Sequence, residues 1–122
     1  MPRWCCMSIK DDRNRLRHMR DAAQKIIAFT ADRDRASLER NELLQLSLVR
    51  LIEIIGEAAA RISPEIKQRH PEVPWAAIVG MRNRLIHAYF DIDLDVVWNT
   101  ATVAIPQLLE QIKTILAENN LE

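Results

Sequence analysis

The chain predicts an all-α protein, an antiparallel bundle of four or five helices, and three observations carry that reading. Apolar residues recur at three- and four-residue intervals in each long segment, which is the period of one helix face. Only two glycines occur among 122 residues, too few for the turns of a loop-rich β protein. Ser, Asp and Pro stand where the periodic stretches begin, as helix caps do, and no run alternates with the period of a strand.

The elements follow in order. Ser8, with Asp11 and Asp12 behind it, reads as a helix start: a capping hydroxyl, then acids near the positive end of the dipole. From there Leu16, Met19, Ala23, Ile26, Ile27 and Thr30 form one stripe. The charged segment ADRDRAS has no periodicity and reads as a loop, through about residue 42. A longer stripe follows: Leu44, Leu48, Leu51, Ile55, Ala59 and Ile62. Its flanks Leu43, Val49, Ile52 and Ile54 are apolar too, so this helix is expected to serve both the core and a subunit interface. Gly56 costs a helix interior about 1 kcal/mol relative to Ala, which points to a close helix approach there. Glu57 beside it faces either a functional cleft or solvent.

Ser63-Pro64-Glu65 is a cap followed by proline at the first helical position, opening a short helix to about His70. PEVP is a rigid connector, because each proline discourages helix in the residue before it. Pro74 then opens a helix expected to run from Trp75 to Phe90. Asp91 and Asp93 end that segment, and a last helix restarts at about Leu94. Its stripe is Val97, Ala101, Ile105, Leu108, Leu109, Ile112 and Leu116, with a kink expected at Pro106.

One domain with one core fits this length. Its body is placed at residues 8–118, with a flexible extension at 1–7 and a tail at 119–122; Met7 is a plausible translation start. Lys plus Arg equals Asp plus Glu, 17 of each. That balance argues against a general nucleic-acid coat protein and leaves room for an enzyme touching a few phosphates. Cys5 and Cys6 are adjacent, cannot close a useful loop, and have no second pair at zinc-ligand spacing. No metal or cofactor is expected. The start lacks a signal-like apolar run and no stretch approaches the ~20 apolar residues of a membrane span, so a cytoplasmic protein without membrane association is expected.

The stretch GMRNRLIHAYFDID, residues 80–93, concentrates the chemistry. Projected on a helix at ~100° per residue, Ile78, Met81, Leu85 and Ala88 share a core arc. Val79, Arg82, Asn83, Ile86, His87 and Phe90 fan over the adjoining surface, with Tyr89 at the boundary. That mixture of apolar and polar groups suits a partner better than water. Asn83 and His87, four apart, would stack on one face. The Arg82 fork could lean toward His87 so that guanidinium and imidazole converge on one phosphate. Histidine exchanges protons near neutral pH and arginine stabilises charge building on phosphorus; cleavage of RNA by its own 2′-hydroxyl needs those two services and no metal. Spacing alone leaves a surface ion-binding or capping role open for the pair. His18, His70 and Arg84 are expected in solvent, and Trp75 and Trp98 are expected to pack the motif helix.

GMRNRLIHAYFDID, preceded by IIGEAAARIS and VPW and followed by DVVW and IPQLL, resembles the HepT-like branch of the HEPN superfamily from about Ser8 to Leu116. The signature of that family is Arg, a polar residue, three more residues and His, matched by Arg82, Asn83 and His87; the His-x-Tyr of the branch matches His87 and Tyr89. The resemblance implies a four-or-five-helix bundle that forms a homodimer, its two motif helices facing each other across a cleft. It implies a metal-independent endoribonuclease acting as the toxin of a bacterial or archaeal toxin–antitoxin pair. Arg82 and His87 would be catalytic, Asn83 would support them, and Tyr89 would be the residue that the cognate nucleotidyltransferase antitoxin, of the MNT type, modifies with AMP. The alternative is a HEPN domain that binds nucleotide or escorts a nucleotidyltransferase without cutting RNA. The arginines of the 31–42 loop, Arg33, Arg35 and Arg40, depart from the pattern and put antitoxin contacts there in doubt.

Overall fold

The computed structural model describes residues 3–88 and 91–118, with side chains from residue 11 onward except for Arg82 and residues 86–91. The first helix, α1, spans Arg3–Thr30 and so begins before Ser8, carrying residues 3–7 in the helix where an extension is expected. Its stripe is the core face: Leu16, Met19, Ala23 and Ile26 are fully buried. Thr30 closes the helix by returning its hydroxyl to the Ile26 carbonyl at 2.9 Å.

The segment expected to be a loop holds a one-and-a-half-turn helix, α2, at Arg35–Arg40. Asp34 caps it, accepting the Ser37 N–H at 2.8 Å and the Ser37 hydroxyl at 2.9 Å. Those hydrogen bonds, led by the one from the Ser37 backbone, hold the Asp34 carboxyl below its ordinary value. Leu38, fully buried, pins α2 to the core, and Arg35 ties it to Asp95 at 2.8 Å. A single apolar anchor has no periodicity to read, which is why charge dominates this stretch in the sequence.

Asn41 ends α2 and caps α3, Glu42–Ala60, by accepting the Leu44 N–H at 3.0 Å. Leu44, Leu48, Ile55 and Ala59 are buried as expected, and so are Val49 and Ile52 on the flank, whereas Leu43 stands 76% exposed. The two long helices are antiparallel. Arg15, midway along α1, donates to the Arg61 carbonyl just past α3 at 2.6 Å, and Phe29 near the end of α1 lies with Leu43 and Leu44 at the start of α3.

The Ser63 cap and the helix α4, Pro64–Arg69, form as read from the sequence. Pro74 leads into α5, Trp75–Val79. The expected continuous helix to Phe90 does not form. It breaks at Gly80, resumes as α6 over Met81–Leu85, and then gives way to an extended strand, β1, Ile86–Ala88, antiparallel to β2, Asp91–Ile92. In a continued helix the Leu85 carbonyl would accept from residue 89; here it accepts from the Asp93 N–H at 2.7 Å.

Asp93 caps α7, Leu94–Asn99, at the expected restart, accepting the Val96 N–H at 3.2 Å. One π-helical turn, Thr100–Ala104, joins α7 to α8, Ile105–Glu118. Proline has no N–H to offer the carbonyl four residues back, and the chain adjusts in the turn before it: Ile105 donates to Thr100, five residues earlier. The expected disturbance at Pro106 is therefore a local re-registering. The core is continuous between α1, α3 and α8, with α5 and α6 seated on α3. The protein is a helical bundle with one short hairpin. No described helix is long and apolar enough to cross a membrane.

Candidate functional site

The motif segment is positioned from the α3 side. A Cβ built on Gly56 would lie 3.2 Å from the Ile78 carbonyl and 3.8 Å from that of Val79. Hydrogen in place of a side chain lets the end of α5 rest directly on α3, the close approach expected at this glycine. Two residues on, Gly80 ends α5, and its carbonyl accepts the Asn83 N–H at 3.2 Å in the first turn of α6. Ile78, Met81 and Leu85 point inward and are at most 5% exposed, as the helical projection requires.

Arg82 therefore sits on α6 beside Asn83, which is exposed, and His87 is the central residue of β1. The projection of Asn83 under His87 on one helix is corrected: the chain leaves helical geometry between them, and the pairing of β1 with β2 through Ile86–Ile92 and Ala88–Asp91 sets the course of the histidine backbone. Tyr89 and Phe90 lie outside the described residues, as does the placement expected for the Arg82 and His87 side chains.

The surrounding charges sort differently from their reading in the sequence. Glu57 is exposed and lies 3.5 Å from Arg50, which also reaches Glu53 at 3.5 Å; the Glu53 side chain is only 18% exposed. His18 is exposed as expected and lines a cavity of about 310 Å³ with Arg15, Glu57 and Arg61. His70 is corrected: it is 6% exposed, its Nδ1 lies 3.3 Å from Glu72, and its carbonyl accepts the Trp75 indole N–H at 3.0 Å. Position at a helix C-terminus, just before a connector that must fold back, was the available signal. Trp75 is buried and Trp98 is packed partly buried against the core, so both serve packing as expected. Arg84 is exposed, but not idle: its Nη2 donates to the Ala77 carbonyl at 3.0 Å. Among the described residues no three His, Cys, Asp or Glu side chains gather as a metal site.

The described site thus offers an arginine and an exposed asparagine in one helical turn, followed within a few residues by a histidine on a strand paired with β2. The profile of the family described as ribonuclease HepT-like matches residues 19–115, a span that includes this segment. The chain belongs to the HepT-like family. It is 36% identical over 93 residues to "Putative RNase MJ0125" of Methanocaldococcus jannaschii, covering 76% of this chain and 80% of that protein. It is 33% identical over 109 residues to "Putative RNase MJ1380" of the same organism, covering 89% of this chain and all of the other. To "Probable ribonuclease HepT" of Thermococcus cleftensis it is 47% identical over 64 residues, covering 52% of this chain and 58% of that protein. No solved structure matches the chain. The HepT-like assignment agrees with the resemblance carried by the Arg82–Asn83 and His87-x-Tyr89 pattern.

Proposed function

We propose that this HepT-like protein is a metal-independent endoribonuclease, the toxin of a toxin–antitoxin pair, with Arg82 and His87 acting on the RNA and Asn83 supporting them. The observation that carries the reading is the family match across residues 19–115 together with the intact Arg82, Asn83 and His87 set inside it. The chemistry is self-cleavage of RNA. The 2′-oxygen attacks the adjacent phosphorus as the bond to the 5′-oxygen breaks, leaving a cyclic phosphate. One proton leaves the 2′-hydroxyl and one reaches the departing oxygen. His87 serves this proton traffic, and Arg82 stabilises the charge on the phosphoryl oxygens. The exposed Asn83 side chain suits a ligand-facing role.

The partner in this reading is a nucleotidyltransferase that places AMP on Tyr89. The phenolic oxygen attacks the α-phosphorus of a nucleoside triphosphate and pyrophosphate leaves. The product adds bulk and negative charge a short way along the chain from Arg82, where substrate phosphate must sit.

Expression of the chain alone is expected to arrest bacterial growth, and purified protein to cut RNA in chelator. Arg82→Ala or His87→Ala is expected to restore growth and to lower cleavage by about 10²–10⁴-fold, the range of an acid–base or charge-stabilising group. Harmless expression together with intact RNA would leave a HEPN domain that only binds nucleotide or escorts its partner. Co-expression with the partner is expected to add AMP-sized mass to the wild-type chain and none to Tyr89→Phe; a modified phenylalanine variant would move the site elsewhere.

A further inference from the structure

We infer that the groove between α6 and α8 is a base-binding subsite for single-stranded RNA, holding a nucleotide that flanks the cleaved bond; the inference rests on the ribonuclease reading. The groove encloses about 370 Å³, within the size range of small-ligand sites. Its floor is apolar and supplied by the core: Ile78, Met81 and Leu108 are 2%, 5% and 3% exposed. Pro74 walls one side. Gln107 and Gln111, four apart on α8, line the other side, and their amides carry both donors and acceptors. Gln111 already spends one donor on the Glu72 carbonyl at 3.2 Å, which fixes its orientation across the groove. Arg84 stands at the lip, steadied by its 3.0 Å hydrogen bond to Ala77. One of its five donors is used in that bond, so the remaining edge of the fork can meet a phosphate.

The link to the cleavage site is the helix itself. Arg82 stands two positions before Arg84 on the same short helix, with the exposed Asn83 between them. An RNA strand with its scissile phosphate at Arg82 passes the exposed Asn83 and meets Arg84 at the mouth of the groove. A flat base then rests on the exposed Pro74 and Ala77 with its polar edge toward Gln107 and Gln111. Apolar walls with a few placed polar groups read a base. Glu72, the acid that also lines the groove, lies 3.3 Å from His70 Nδ1.

The test uses the full chain in two arms. In the first, a fluorescently labelled single-stranded RNA is titrated onto the His87→Ala protein by anisotropy, with and without Arg84→Ala or the Gln107→Ala/Gln111→Ala pair. Arg84→Ala is expected to weaken binding about tenfold and to lower the salt dependence by roughly one single-strand phosphate contact. The glutamine pair is expected to weaken it several-fold. In the second arm, the ends of RNA fragments cut by otherwise wild-type protein are sequenced. The glutamine pair is expected to alter the base preference next to the cut. Unchanged affinity in both variants, with unchanged fragment ends, would overturn the subsite. If the wild-type chain cuts no RNA, the ribonuclease reading fails by itself, while the anisotropy arm still decides whether the groove holds RNA. Loss of self-association in place of RNA affinity would assign the groove to protein contact and overturn the proposal. Thermal melts matching the parent exclude misfolding as the source.

Discussion

At the residue scale, the Asp12 carboxylate on α1 holds a backbone donor just past the end of α3. In the sequence it stands near a helix start and suggests a dipole partner. Because α1 begins at Arg3, Asp12 lies well inside the helix, 3% exposed, and accepts the Ser63 N–H at 2.9 Å. It thereby satisfies a backbone donor at the cap residue of α4, with Arg15 at 4.0 Å beside it. The contact spans 51 positions in the chain, and nothing local to either residue announces it. Removing the carboxylate strands that half-buried donor. Asp12→Ala is therefore expected to destabilise the fold by about 2 kcal/mol, within the cost of orphaning a buried hydrogen-bonding group. Urea unfolding would show a lowered midpoint with an unchanged slope, and a midpoint equal to wild type would mean that water replaces the contact. Gly56 is the opposite case. Its cost inside a helix was legible, and the backbone of α5 at 3.2 Å is what it makes room for.

At the scale of elements, the sequence was most informative where many apolar residues repeat and least where one contact decides. The stripes of α1, α3 and α8 are buried almost as projected, since each rests on five or more residues with the same period. Caps at Asp34, Asn41, Ser63 and Asp93 each hold a backbone N–H, although only Ser63 and the Asp93 restart are legible in the sequence. Helix α2 has no periodic signal because its claim to order is the single buried Leu38 and a long-range ion pair from Arg35 to Asp95. The motif segment departs from its helical projection for a related reason. Its apolar residues fit a helix through Leu85, and the same period happens to continue to Ala88. Gly80 and the Asp93 N–H at 2.7 Å from the Leu85 carbonyl instead favour a break and a reversal. A helical projection cannot see a competing donor eight residues away. The consequence reaches the site: Arg82 and Asn83 are presented by a helix, His87 by a strand, so their mutual placement depends on the hairpin rather than on helical spacing.

At the scale of the whole molecule, the bundle leaves apolar surface that a single chain does not cover. Val79, on the element leading into the motif, is 41% exposed, and Leu43 and Leu46 on α3 are 76% and 53% exposed. Scattered apolar residues need no partner, but these lie on the two helices that meet at Gly56, one of which was expected to face both the core and a second subunit. The formal net charge is +0, so self-association meets little long-range repulsion. A two-fold dimer would cover each such residue twice, because an isologous interface uses the same patch on both copies. It would also bring two copies of the Arg82 segment to one cleft. The wild-type chain is therefore expected to scatter light as twice 14.1 kDa at micromolar concentration. Val79→Arg, which buries a charge at the motif face, is expected to shift the mass toward a single chain and to reduce RNA cleavage with it. Leu43→Arg together with Leu46→Arg tests the other end of α3. Dissociation by that pair alone would place the interface away from the motif. A single-chain mass for the wild type, with full RNA cleavage, would sink the dimer and require each Arg82 and His87 pair to work without a second copy.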